Sequence, residues 1–289
     1  MQFTAMDKVS QVQGINSPLG EEYEGYGVRY VILDGAFDDN LHAQIYRNAN
    51  NRSPVWAPLT LNTPYAEMGT MSPCLLQVEE HYKVQDYASE LLERSDAGCV
   101  VWLEDSAQWP VAIEHCQSLL TVKDNEQGDT FFRFFEPRWL EPLFETLEPG
   151  ERSAFLGPFA AIAWRNERGW RLVSRLEEWE GRTQAPGWLS LDNRRLQSLE
   201  QARLPLTAAR LAESYRAYLP DDGDRVVLDI LNYIKPFGYS DLESQERWLR
   251  LHITRPKDFL YSTEVQNLLH SQEYAKGKKL DEIEVLPFA

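Results

Sequence analysis

His115 and Cys116 are the only adjacent histidine and cysteine in the chain. Neighbouring residues on a helix point about 100° apart, so this pair is poorly placed to share a metal ion or to act as a nucleophile–base dyad. It reads as a helix-face histidine beside a buried thiol. His42, His81, His252 and His270 have no partner motif nearby. Glu104 and Asp105 close an apolar run, the usual position of acids in α/β active sites. Two such carboxylates could do acid–base work if their surroundings separated their pKa values; they could equally be charges at a helix start. Asp34 also ends an apolar run, where its plainer role is to accept backbone N–H groups ahead of Gly35. The sequence holds no GxGxxG or GxxxxGKS/T phosphate loop, no GxSxG elbow, no paired cysteines and no HExxH or HxxxH. No cofactor or metal is therefore expected. Arg133 is more informative, because it sits among Phe131, Phe132, Phe134 and Phe135. A charge in that setting is costly unless paired, so Asp34, Glu104 or Glu136 is expected to pair with it, serving architecture and not chemistry.

The elements that would position these residues alternate in type. Residues 30–36 read as a buried strand running into a turn, after which Asp39 or Asn40 caps a helix with Leu41, Ile45 and Tyr46 on one face. A Pro/Asn/Ser-rich loop covers 48–63. Strands are expected at 73–78 and 98–103, with a helix at 84–94 between them. Ser106 is expected to cap a helix that carries Pro110 in its first turn. Residues 130–135 read as a third strand, and 137–147 as a helix with Pro142 inside. A strand follows Gly157-Pro158, and 170–173 reads as an edge strand. Beyond Leu176 strand signals stop: helices are expected at 192–219, interrupted at Pro205, at 224–235, at 240–252 behind a capping-box pattern, and at 263–271, with an exposed basic stretch at 276–279. The fold class expected is an α/β N-terminal lobe, a mixed sheet with flanking helices, over 1–176, and an all-helical C-terminal lobe over 177–289, joined at 177–186.

Charge is unevenly distributed along the 289 residues. Of the net −16, residues 1–165 carry −14, from 11 Lys/Arg against 25 Asp/Glu. Such a half-chain does not suit nucleic acid, whose phosphates select basic faces. The first residues lack the features of a signal peptide, and no apolar run approaches 18 residues, so a cytoplasmic protein without a membrane span is expected. Cys74, Cys99 and Cys116 are odd in number and widely spaced, and read as reduced and structural.

Four segments carry a family resemblance: Tyr30-Val-Ile-Leu-Asp-Gly-Ala36, Gly98-Cys-Val-Val-Trp-Leu-Glu104, Phe132-Arg-Phe-Phe-Glu-Pro-Arg-Trp-Leu140 and Phe155-Leu-Gly-Pro158. In order and spacing they resemble the domain of type VI secretion effector adaptors, once described only as a domain of unknown function. The resemblance covers about residues 28–165 and rests on Asp34, Gly35, Trp102, Glu104, Arg133, Phe135, Pro137, Arg138, Gly157 and Pro158. The family often has Asp where Glu136 stands, and Gly-Pro-Trp where Ser72-Pro73-Cys74 stands. The resemblance implies a cytoplasmic chaperone, not an enzyme. Such a protein binds a secreted toxin effector and delivers it to the valine-glycine-repeat (VgrG) spike protein.

Aromatic anchors for the effector would be sought on the helical lobe and in the expected cleft, with Trp179, Trp188, Tyr215, Tyr218, Tyr239 and Trp248 as candidates, each of which could instead be core. Two other functions are open. One is an immunity protein that neutralises a toxin; the other is a hydrolase using Glu104 or Asp105.

Overall fold

The strands of the N-terminal region are apolar on both sides, and the fold covers them on both sides. In the computed structural model, residues 8–19, 26–38, 40–49, 53–79, 81–94, 97–124, 128–256 and 258–287 are described. The first elements are β1 (Gln13–Ile15), β2 (Val28–Leu33), α1 (Leu41–Asn48), β3 (Trp56–Pro58), β4 (Cys74–Gln77), α2 (Tyr82–Arg94) and β5 (Gly98–Leu103). They are followed by α3 (Trp109–Leu119), β6 (Thr121–Asp124), β7 (Gly128–Phe131), α4 (Pro137–Thr146), α5 (Pro149–Leu156), β8 (Phe159–Asn166) and β9 (Gly169–Ser174). Seven strands form one sheet in the order β1-β9-β8-β5-β2-β4-β3, and every pairing within it is antiparallel. β6 and β7 form a separate hairpin.

Strand periodicity splits the core in two. Tyr30, Ile32, Cys99, Val101, Leu103, Ile162 and Trp164 face one side, against residues of α3, α4 and α5. Val31, Leu33, Val100, Trp102, Ala161 and Ala163 face the other, against α1 and α2. All three cysteines are buried and unbridged. The second region is helical: α6 (Asn193–Ser214), α7 (Gly223–Ile234), α8 (Leu242–Thr254), α9 (Thr263–His270) and α10 (Lys276–Glu284), with their own core around Val227, Leu231, Ile234, Trp248 and Leu280. The expected α/β lobe and all-helical lobe are both present. No described helix is long and apolar enough to cross a membrane.

Local expectations differ from the structure in identifiable ways. The strand expected over 130–135 ends at Phe131: the Phe132 amide still bonds Leu120 O (2.8 Å), and the chain then turns, the Glu136 amide closing on Arg133 O (3.0 Å). Asp105, not Ser106, is the cap ahead of α3, and Asn40 makes no side-chain cap bond; Asp39 lies outside the described residues. β9 is not an edge, since β1 pairs outside it. α6 runs through Pro205 without interruption, and the basic stretch at 276–279 opens α10. The chain divides into compact units Met1–Ala202 and Arg203–Ala289, later than the 176/177 boundary expected from sequence. The reason is packing: Leu189, Leu191 and Leu199 fill the core on the α3–α5 side of the sheet, and Leu189 O and the Leu191 amide bond Lys123 of β6.

His115 on α3 is fully buried, with Nε2 2.8 Å from Phe155 O. Burial pulls its pKa down to about 4, partly offset by that bond. The ring therefore stays neutral in the folded chain while an unfolded chain protonates it below about pH 6.5. The contribution is complete above that pH and is lost as pH falls toward 4, by about 3 kcal/mol in all. Unfolding free energies measured by denaturant between pH 7 and 4 should show this loss, and His115→Gln should flatten it; an unchanged slope in the variant would contradict the assignment.

Candidate functional site

The best-defined polar construction in the first unit begins where β2 ends. Asp34 follows the strand, and its amide donates to Ala97 O (2.8 Å). Its carboxylate accepts the Ala36 amide at Oδ1 (3.0 Å), the turn role expected of it. Gly35 is pressed on the backbone of residues 70–72: a Cβ there would lie 2.4 Å from Ser72 O and 2.6 Å from Thr70 O. No side chain fits without moving that segment.

Arg133 completes the site. Its guanidinium pairs with Asp34 Oδ2, and its Nε lies 3.7 Å from Glu136 Oε2. Glu136 in turn pairs with Arg138. The result is an alternating ladder, Asp34–Arg133–Glu136–Arg138. Its carboxylates are buried (3% and 5% exposed) and its guanidiniums are half-exposed (37% and 38%). The aromatic residues between set this geometry. Phe134 and Phe135 enter the core with their rings at 5.4 Å, and the Glu136 amide closes a turn on Arg133 O (3.0 Å). Glu136 occupies the N-cap position of α4 and Pro137 its first turn, where a missing N–H costs nothing. Of the three acids considered for Arg133, Asp34 and Glu136 bind it. Phe37, in the Asp34 turn, and Met71, in the segment pressed on Gly35, are 45% and 50% exposed. The ladder holds two arginines, and the two segments that meet at Gly35 each carry an exposed apolar side chain.

Glu104 belongs to a different cluster. Its carboxylate takes Nη2 of the buried Arg175 (2.8 Å), whose Nη1 donates to Gly157 O (2.7 Å). Gly157 has φ +53°, and a Cβ there would meet the His115 ring at 2.4–2.6 Å, so the Gly-Pro step is required for backbone and packing together. Pro158 is buried beside it. Asp105 caps the turn ahead of α3 by accepting the Ala107 amide (2.8 Å). Both carboxylates considered for hydrolysis therefore have structural partners. Trp102 lies in the core and touches Tyr26 at 5.8 Å between ring centres.

The aromatic candidates separate by burial. Tyr239 and Trp248 form a T-shaped pair (5.4 Å) in the core of the helical unit and cannot reach a partner. Tyr215 is half-buried, with its hydroxyl on Glu246 (2.6 Å). Trp179 and Trp188 are half-buried, and Trp188 packs on the core of the first unit. Tyr218 is 73% exposed. Other exposed side chains were not singled out by sequence, among them Phe37, Leu61, Met71 and Tyr261, and Tyr46, expected on the apolar face of α1, is 54% exposed. Residue type alone does not separate an anchor from a core residue. The outer edge of β3 offers little to an added strand. Val55 O and the Leu59 amide face β4, so positions 54, 56 and 58 face outward, and two of these are proline.

Replacing Arg133 by Met leaves the Asp34 carboxylate buried without its cation. We expect a loss of about 2–4 kcal/mol in unfolding free energy. A double-mutant cycle with Asp34→Asn should give a coupling above about 1 kcal/mol. Additive effects would show that the pair does not hold the turn.

Residues 29–154 match the model of a family described as a domain of unknown function (DUF4123), a span of less than half the chain. No curated protein and no solved structure matches the chain.

Proposed function

We propose that this chain is a cytoplasmic adaptor that binds a cognate type VI secretion effector and loads it onto the VgrG spike, and that it is a binding protein and not an enzyme. The observation that carries the reading is the Asp34–Arg133–Glu136–Arg138 ladder. Two of the four segments that resemble effector adaptors meet in it, and both lie within the matched span of residues 29–154. A third segment ends at Glu104 and the fourth contains Gly157 and Pro158; Arg175 joins these two. The segments are thus linked in space as well as ordered in sequence. The ladder also has interface chemistry. Guanidiniums held by buried carboxylates lose little rotamer freedom on binding, and the exposed Phe37 and Met71, on the segments that meet at Gly35, offer apolar area.

The acidic balance of residues 1–165 suits a basic segment on a partner. It would equally suit an immunity protein, and the two roles differ in outcome. An adaptor co-elutes with the effector at micromolar concentration on a sizing column and leaves its toxicity intact in the producing cell. An immunity protein abolishes that toxicity. Separate elution of the two proteins would contradict both readings, and protection of the cell would contradict the adaptor reading alone.

A further inference from the structure

Residues 152–175 contain five arginines and one acidic residue, Glu167, inside the acidic first unit. Arg165 pairs with Glu93 (3.0 Å) and Arg175 with Glu104 (2.8 Å), and Nε of Arg152 donates to Leu147 O (3.0 Å). Arg168 and Arg171 instead converge on a single carboxylate, the buried Glu141 of α4. Nη1 of Arg168 lies 3.2 Å from Oε1, and Nε of Arg171 lies 3.3 Å from Oε2. Asn166 Nδ2 also donates to Oε2 (2.7 Å). Glu141 accepts two hydrogen bonds, from Asn166 and Arg168, while the buried Nε of Arg171 lies within ion-pair distance of it without a hydrogen-bond partner.

A cavity of about 420 Å³ opens at this point. Arg152, Arg168, Arg171, Glu141, Glu145 and Phe144 line it, and residues 10–12, leading into edge strand β1, complete it. Three guanidiniums face two carboxylates, so the cavity is a positive island on an acidic unit. Burial and the nearby Glu141 raise the Glu145 pKa against the pull of Arg168 and Arg171.

We propose that this cavity is a carboxylate-binding site for a peptide segment, with Arg168 and Arg171 as the donors. A guanidinium matches a carboxylate with two parallel N–H···O bonds, and the N–H groups of Arg168 and Arg171 that Glu141 does not take can be donated to a carboxylate entering the cavity. The site goes beyond the adaptor reading and does not depend on it. The net charge of −16 opposes non-specific attraction of acidic peptides, so saturable binding reports a local basic site, which the Arg168 variant then locates.

Calorimetric titration of the full chain at low ionic strength tests the site with four probes. These are acetyl-Glu-Glu-Glu-amide, acetyl-Ala-Ala-Ala with a free carboxyl terminus, acetyl-Lys-Lys-Lys-amide and inorganic phosphate. Saturable binding of the first assigns acidic side chains; saturable binding of the second assigns a chain end. The half-exposed Arg168→Gln should weaken that binding by roughly three- to tenfold. Glu145→Gln should tighten it, because a repelling carboxylate is gone. Three results would each overturn the proposal: binding of neither carboxylate probe, equal binding of phosphate, or affinities that neither variant changes.

Discussion

The ion pair between Arg133 and the buried Asp34 is the constraint around which the first unit is organised. Asp34 ends a central strand whose neighbours on both sides are hydrogen-bonded, so its position is set by the sheet. Arg133 lies 99 residues later, in the irregular stretch between the β6–β7 hairpin and α4. A carboxylate that is 3% exposed needs a cation, and supplying it draws residues 132–137 onto the end of the sheet. Phe134 and Phe135 then enter the core and α4 begins at Pro137. Glu136 passes the charge on to Arg138 at the surface. The same turn, with no room for a side chain at Gly35, fixes residues 70–72 and with them the exposed Met71.

This pairing was legible in the sequence because burial cost alone demanded it: an arginine among four phenylalanines must find an acid. The β2, β4, β5 and β8 strands were legible for a related reason. With helices on both faces, they carry unbroken apolar runs. β1 and β3 were not, being three residues each, one polar and glycine-containing, the other ending in proline. The stretch at 130–135 was misread because alternating phenylalanines look like a strand whether they line a sheet or turn into a core. Leu189 and Leu191, ahead of α6, and Leu199 within it belong to the first unit, which their spacing along the chain did not signal.

The two charged sites differ in how they could be found. The ladder is local on one side, at positions 133, 136 and 138, and its single distant member has a sequence signature. The Glu141–Arg168–Arg171 cluster exists only because the β8–β9 hairpin and α4 lie together, and spacing along the chain carries no trace of it. The six aromatic candidates looked alike in the sequence, yet Tyr218 is exposed while Tyr239 and Trp248 are core. Phe37 and Met71 draw notice only because their segments meet at Gly35.

Amide hydrogen exchange of the chain, alone and with its cognate effector bound, tests this account most directly. Local protection reports burial and hydrogen bonding segment by segment. The account predicts that binding slows exchange at residues 34–37, 70–72 and 132–138 together. A complex that protects only residues 203–289, leaving those three segments unchanged, would contradict it.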